Sequence, residues 1–146
     1  NIGDNVTLIG PSGKFKLKRP FANEIYFFAT GVGIAPFISM LYEIKNENYK
    51  GIIKFFHGIR YTDNIVFSKE LEELKQQLVN FSTEIWISQP KDSYSKTGRI
   101  TKVLENFEVN ESQHFYICGN PMMILEMERK LIAKGVSREN IISEKF

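Results

Sequence analysis

Short apolar runs alternate along this chain with stretches whose apolar residues recur at helical spacing. Ile25 to Ala29, Ile52 to His57, Thr83 to Ser88, Phe115 to Cys118 and Asn140 to Ser143 read as strands. Between them, a helix is predicted from about Ala35 to Lys45. Phe67, Leu71, Leu74 and Leu78 mark a second, with Asp63 or Asn64 as its N-cap. Ile100, Val103, Leu104 and Phe107 mark a short third. A fourth starts near Pro121, pairs Glu126 with Lys130 and stops at Gly135. Strand and helix in alternation predict βαβ units around a parallel sheet. Upstream, Val6 to Ile9 and Phe15 to Leu17 read as a hairpin around Pro11 to Gly13, outside that alternation.

The uncharged run from Ile25 to Tyr42 reaches membrane-spanning length. Gly31, Gly33 and Pro36 interrupt it, so strand, turn and helix in series explain it better, and no membrane span is expected. No basic segment precedes an apolar one at the start, as a signal peptide requires. The chain opens at Asn1 in strand-like sequence, which predicts a domain cut from a longer protein.

Composition narrows the function classes. Nineteen basic and 17 acidic residues are spread along 146 positions, giving a formal charge of +2 without the concentrated basic face that nucleic acid demands. Cys118 is the only cysteine, and His57 and His114 stand alone, so neither an internal disulfide nor a metal site is predicted. A reducing, cytoplasmic setting follows from that cysteine usage.

Open parallel sheets bind ligands beyond the carboxyl ends of their strands. Here the ends are Thr30-Gly31-Val32-Gly33, His57-Gly58, Ser88-Gln89, Cys118-Gly119-Asn120-Pro121 and Glu144-Lys145-Phe146. Gly31 and Gly33 allow a backbone to pass close to a diphosphate, and the following helix points free amides and its positive end there. Pro36, in the first helical turn, removes an amide that would be unpaired anyway. The glycine fingerprint of dinucleotide-binding βαβ units is incomplete: Pro36 stands where its third glycine falls, and no carboxylate closes the second strand. Gly10-Pro11-Ser12-Gly13-Lys14-Phe15 is no triphosphate loop, because its glycines are too close and Phe15 replaces the magnesium-binding hydroxyl.

Four motifs in order resemble the ferredoxin–NADP reductase superfamily, over the whole chain. Gly3-Asp4-Asn5-Val6 with Gly10-Pro11-Ser12-Gly13-Lys14-Phe15 is similar to the last strand of that family's flavin-binding barrel. Ala29-Thr30-Gly31-Val32-Gly33-Ile34-Ala35-Pro36-Phe37 resembles its pyrophosphate loop. Cys118-Gly119-Asn120-Pro121-Met122-Met123 resembles its cysteine-glycine turn, and Glu144-Lys145-Phe146 its carboxyl-terminal ending.

The resemblance implies an α/β fold: a three-layer, Rossmann-like sheet of five parallel strands in the order 3-2-1-4-5. Residues 1–22 would be a hairpin left from a flavin-binding barrel, and residues 23–146 the NAD(P)-binding domain. It implies hydride transfer from NADH or NADPH to FAD in an N-terminal FAD-binding domain. Electrons would then pass to an acceptor protein or domain of ferredoxin, flavodoxin, iron–sulfur or haem type. The family's Arg-x-Tyr-Ser/Thr flavin motif is missing, since Arg60-Tyr61-Thr62 does not fit it; this chain alone is expected to bind little FAD.

Residue roles follow from the same resemblance. Thr30, Gly31, Val32 and Gly33 would cradle the pyrophosphate, and Cys118 would sit beside the reactive nicotinamide carbon as a positioning group rather than a nucleophile. Glu144 would bond Cys118 or the nicotinamide, and Phe146 would stack on the flavin. Gly119, Asn120, Pro121 and Met123 would line the groove with Pro36, and Arg60 would touch the cofactor. NADPH users of the family place Ser-Arg after the third strand; Ser88-Gln89-Pro90-Lys91 lacks the guanidinium, which favours NADH. Lys91, Lys96 and Arg99 lie close enough in sequence to supply the missing charge. The competing reading is a non-catalytic nucleotide-binding or sensing module, which would have no need for Cys118, Glu144 and Phe146 together.

Overall fold

The computed structural model describes residues 2–7 and 13–145. Five strands form one parallel sheet in the order β3-β2-β1-β4-β5. They are β1 (Glu24–Thr30), β2 (Ile52–Ile59), β3 (Phe81–Ile87), β4 (Gln113–Gly119) and β5 (Ile141–Lys145). The helices are α1 (Ala35–Asn46), α2 (Ser68–Gln77) and α3 (Pro121–Ala133), with a 3-10 turn over Ile100–Asn106 in place of the short third helix. The sheet order is the expected one.

Strand alternation divides the core in two. Phe27, Phe55 and Tyr116 point to the face covered by α1 and α2, where Phe37, Leu41 and Leu74 meet them. Phe28, Phe56, Phe115 and Ile117 point to the opposite face, under α3 and the Ile100–Asn106 turn. All seven residues of β4 are buried, as a strand covered on both faces requires. The membrane-length run resolves into β1, a tight turn over Gly31–Ile34, and α1. Among the described residues, no helix is long and apolar enough to cross a membrane.

Two expectations need correction. The hairpin is absent from the described residues: Phe15 to Leu17 form no strand, and neither do Val6 and Thr7. The rest of its first arm and most of its tip, with Gly10, Pro11 and Ser12, lie outside the described residues. Phe15 and Leu17 instead turn inward onto the α1-side core, and the Lys18 amide donates to the Tyr116 hydroxyl at 2.8 Å. Alternation there reflects side-chain packing without a paired ladder. Nor is α2 capped by Asp63 or Asn64. Thr62–Asn64 close a separate 3-10 turn, and α2 follows Phe67 in the left-handed region at φ 58. That conformation brings the Phe67 ring onto the same core as Leu71 and Leu74.

Candidate dinucleotide site

Strand order reverses between β1 and β4, so α1 and α3 leave their paired carboxyl ends toward opposite faces of the sheet, opening a crevice there. Ala29 and Cys118 are direct register partners, which brings the glycine turn and the thiol side by side. Two close approaches fix the crevice floor. A Cβ on Gly33 would lie 2.8 Å from the Gly119 Cα, and one on Gly119 would lie 2.7 Å from the Thr30 carbonyl oxygen. Gly119 also has φ 133, a conformation side chains resist. The Thr30 hydroxyl oxygen accepts from the Asn120 amide at 2.9 Å, buckling the two turns together. Its own hydrogen stays available as a donor.

Above this floor lies a groove of about 1020 Å³, of the size that holds extended cofactors. Of the residues singled out from the sequence, Thr30, Gly31, Val32, Arg60, Ser88, Asn120 and Met123 line it. Gly33, Pro36, Gly119 and Pro121 shape the two turns without lining the groove. Gln89 and Lys91 lie off it: Gln89 accepts from the Tyr61 hydroxyl at 2.9 Å, and exposed Lys91 pairs with Asp63 at 3.2 Å.

Most of the far wall escaped sequence reasoning, which offers only Arg99, as a source of charge. Arg99, Ile100 and Thr101 supply the wall together with Met122, Leu125 and Arg129. A signal was present, because Met122, Leu125, Glu126 and Arg129 share one helical stripe beside the core stripe of Met123, Ile124, Met127 and Leu131. Four basic side chains line the groove, Arg60, Arg99, Arg129 and Lys130, against the acids Asp63 and Glu126. Lys130 is engaged by Glu126 at 2.9 Å and by the Thr101 carbonyl at 3.3 Å. The balance suits a doubly charged diphosphate.

Cys118 is fully buried among the α1-side residues and does not line the groove. Burial pushes its thiol up to about 11, the neighbouring Glu144 carboxylate adds to this, and a backbone bond at Gly119 opposes it. The group is a neutral thiol at physiological pH, consistent with positioning and not attack. Glu144 is its register partner on β5 and is partly exposed. Phe146 lies outside the described residues. Among those described, no group of three or more His, Cys, Asp or Glu could hold a metal ion.

Known proteins with this arrangement decide the family. The family model for the oxidoreductase NAD-binding domain matches residues 27–129. The chain belongs to that family. It is 30% identical to the toluate 1,2-dioxygenase electron transfer component of Pseudomonas putida, over 99% of this chain and 43% of that protein. It is 33% identical to a component of the Na(+)-translocating NADH-quinone reductase of Marinomonas, over 99% of this chain and 37% of the relative. The chain therefore spans less than half the length of these relatives. Its fold matches the Amycolatopsis cytochrome P450 reductase GcoB with a TM-score of 0.85 at 20% identity, covering 94% of this chain and 42% of that one.

Proposed function

We propose that this domain seats NADH for hydride transfer to a flavin held by a separate domain, with electrons passing onward to an acceptor protein or domain. The observation that carries the reading is an open helix start, between Thr30 and Ala35, facing a groove with an excess of two positive charges. The first amides of a helix lack partners within it, and they favour an anionic group. The Gly31 turn has no side-chain cap of its own. Gly31, whose Cβ position is empty to 4 Å, leaves room for close approach.

The roles divide along the groove. Backbone at Gly31 and Val32 would bind the diphosphate with the Thr30 hydroxyl, while Arg60, Arg99 and Arg129 balance its charge. Ile59, Ile100 and Leu125 offer apolar surface to the adenosine end. The bound nicotinamide supplies a hydride and becomes cationic. Cys118 and Glu144, register partners near the carboxyl ends of β4 and β5, would act on this ring, Cys118 from beneath the crevice floor as a shape-fixing thiol and Glu144 as a compensating carboxylate. FAD belongs to a preceding domain, of which residues 1–22 would be the tail.

The choice of NADH rests on the loop after β3. Gln89 is neutral and Lys91 is neutralised by Asp63, so neither offers free charge to a 2′-phosphate. A relative at 33% identity is itself named as part of an NADH-quinone reductase. The single buried thiol fits a reducing, cytoplasmic compartment.

Calorimetric titration with NADH, NADPH and ADP tests the reading. NADH should bind saturably and compete with ADP, with NADPH no tighter. Absence of saturable binding by all three would end the proposal, and tighter NADPH binding would end the cofactor choice alone.

A further inference from the structure

His57 is 1% exposed near the carboxyl end of β2, where the strand is enclosed on both faces. Its Nε2 lies 3.0 Å from the carbonyl oxygen of Gly31. Its Nδ1 is buried and has no hydrogen-bond partner among the described residues. A carbonyl oxygen only accepts, so Nε2 carries the proton. Burial holds the imidazole below its ordinary range, only partly opposed by the Gly31 bond, which leaves Nδ1 as a bare lone pair. An unpaired buried nitrogen is destabilising, and an apolar side chain would avoid it. Whatever His57 contributes therefore comes through Nε2.

The bond acts on the first peptide of the 3-10 turn over Gly31–Ile34. Gly31 has φ +53, and no atom lies within 4 Å of the place a Cβ would occupy. Glycine crosses between backbone conformations more readily than other residues. The Gly31–Val32 peptide is trans, so its C=O and N–H point in opposite directions. With the oxygen drawn inward to His57, the Val32 N–H is turned outward, toward the groove that Thr30, Gly31 and Val32 line. Phe55 packs against the imidazole at 6.2 Å between centroids and limits its movement.

We infer that His57 is a positioning residue for dinucleotide binding: its Nε2–H pins the Gly31 carbonyl and thereby aims the Val32 amide at the ligand's diphosphate. The inference rests on reading the groove as a dinucleotide site. His57 makes the amide an oriented donor before the ligand arrives, so that binding need not order it. The ring touches no ligand itself.

The test titrates the protein as encoded, with any neighbouring domains in place, against ADP and against adenosine. His57→Leu should weaken ADP about tenfold, the scale of one well-placed hydrogen bond, and leave adenosine unchanged. His57→Gln, whose amide nitrogen can reach the same carbonyl, should recover most of the loss. Nitrogen NMR of the wild type should show Nε2 protonated and Nδ1 bare, and the Val32 amide should shift on adding ADP. If the wild type does not bind ADP, the dinucleotide reading itself falls and this inference with it. If the wild type and His57→Leu bind ADP equally, the dinucleotide site stands and the role of His57 is refuted. Equal weakening of ADP and adenosine would show a general loss of structure and refute it too. Should His57→Leu fail to fold, a proton found on Nδ1 in the wild type, or ADP binding by His57→Gln weakened as for a lost bond, would also overturn the inference.

Discussion

The chain leaves β1 and β4 through glycine turns that both lead into proline-started helices, but only the second helix is capped by its own sequence. At α3, the Asn120 side chain accepts from the Met122 amide at 2.9 Å and the Met123 amide at 3.4 Å. At the Gly31 turn, Thr30 occupies the cap position, but its side chain bonds no amide of that turn. Its hydroxyl oxygen is turned sideways to the Asn120 amide instead. The glycines differ in the same sense. Gly119 is jammed against Thr30, whereas Gly31 faces open space. One turn is closed by the protein, so its glycine and its cap serve the fold. The other is held in place with no side chain capping its amides, the form in which a helix start suits an anion.

The sharpest way to break this comparison is to add one methyl group to each glycine. Gly119→Ala meets both a positive φ and backbone atoms that have no room to withdraw. It should cost about 3 kcal/mol or more in chemical denaturation, combining strain and overpacking. Gly31→Ala carries only the conformational penalty, about 1–2 kcal/mol, because its methyl meets nothing. Its larger effect should appear in ADP affinity. Equal stability losses in the two variants would show that the turns are not distinguished in this way.

Asn120→Ala comes next in size. Two amides at the start of α3 lose their acceptor, and a loss of about 1 kcal/mol is expected from equilibrium unfolding. Dinucleotide affinity should fall less than for Gly31→Ala, since the cap serves its own helix. An affinity loss exceeding the stability loss would make Asn120 a ligand contact first and a cap second.

These contrasts also mark how far the sequence could be read. Both turns were visible as Gly and Pro after buried strands, and Phe27, Phe55 and Tyr116 announced the sheet through apolar runs. Which turn was open was not visible, because openness depends on whether a Cβ would meet Thr30 or empty space. Arg99 apart, which the sequence offered only as a nearby charge, the far wall of the groove was hidden for a related reason. Arg99 and Arg129 are distant in sequence and converge only when α3 packs beside the Ile100–Asn106 turn. Phe15 and Leu17 misled in the opposite way: their alternation is real, yet it records burial against α1-side residues. Cys118 was legible as the end of a strand, but its complete enclosure follows from packing on both sides of β4.

The smallest expected effect is acid sensitivity confined to the open turn. Burial holds the imidazoles of His57 and His114 below their ordinary value near 6.5. Above about pH 7 both are neutral in the folded and unfolded chain, and they add no pH dependence. As pH falls through 6.5, the unfolded chain binds protons that the folded one resists, so stability declines until the folded histidines also titrate. Protonation of His57 would leave its Nε2–H in place, so the Gly31 bond is not removed chemically; the cost is that of enclosing a cation. That cost is relieved by local opening behind the Gly31 turn. The start of α3 is capped by Asn120, which does not titrate. Hydrogen exchange corrected for intrinsic rates should therefore show Ile34 losing protection between pH 7 and pH 5.5 while Ile124 keeps it. His57→Gln should abolish the difference and leave the part of the decline in melting temperature that belongs to His114. Equal loss at both helix starts would mean that acid acts on the domain as a whole, and that the two turns share one stability after all.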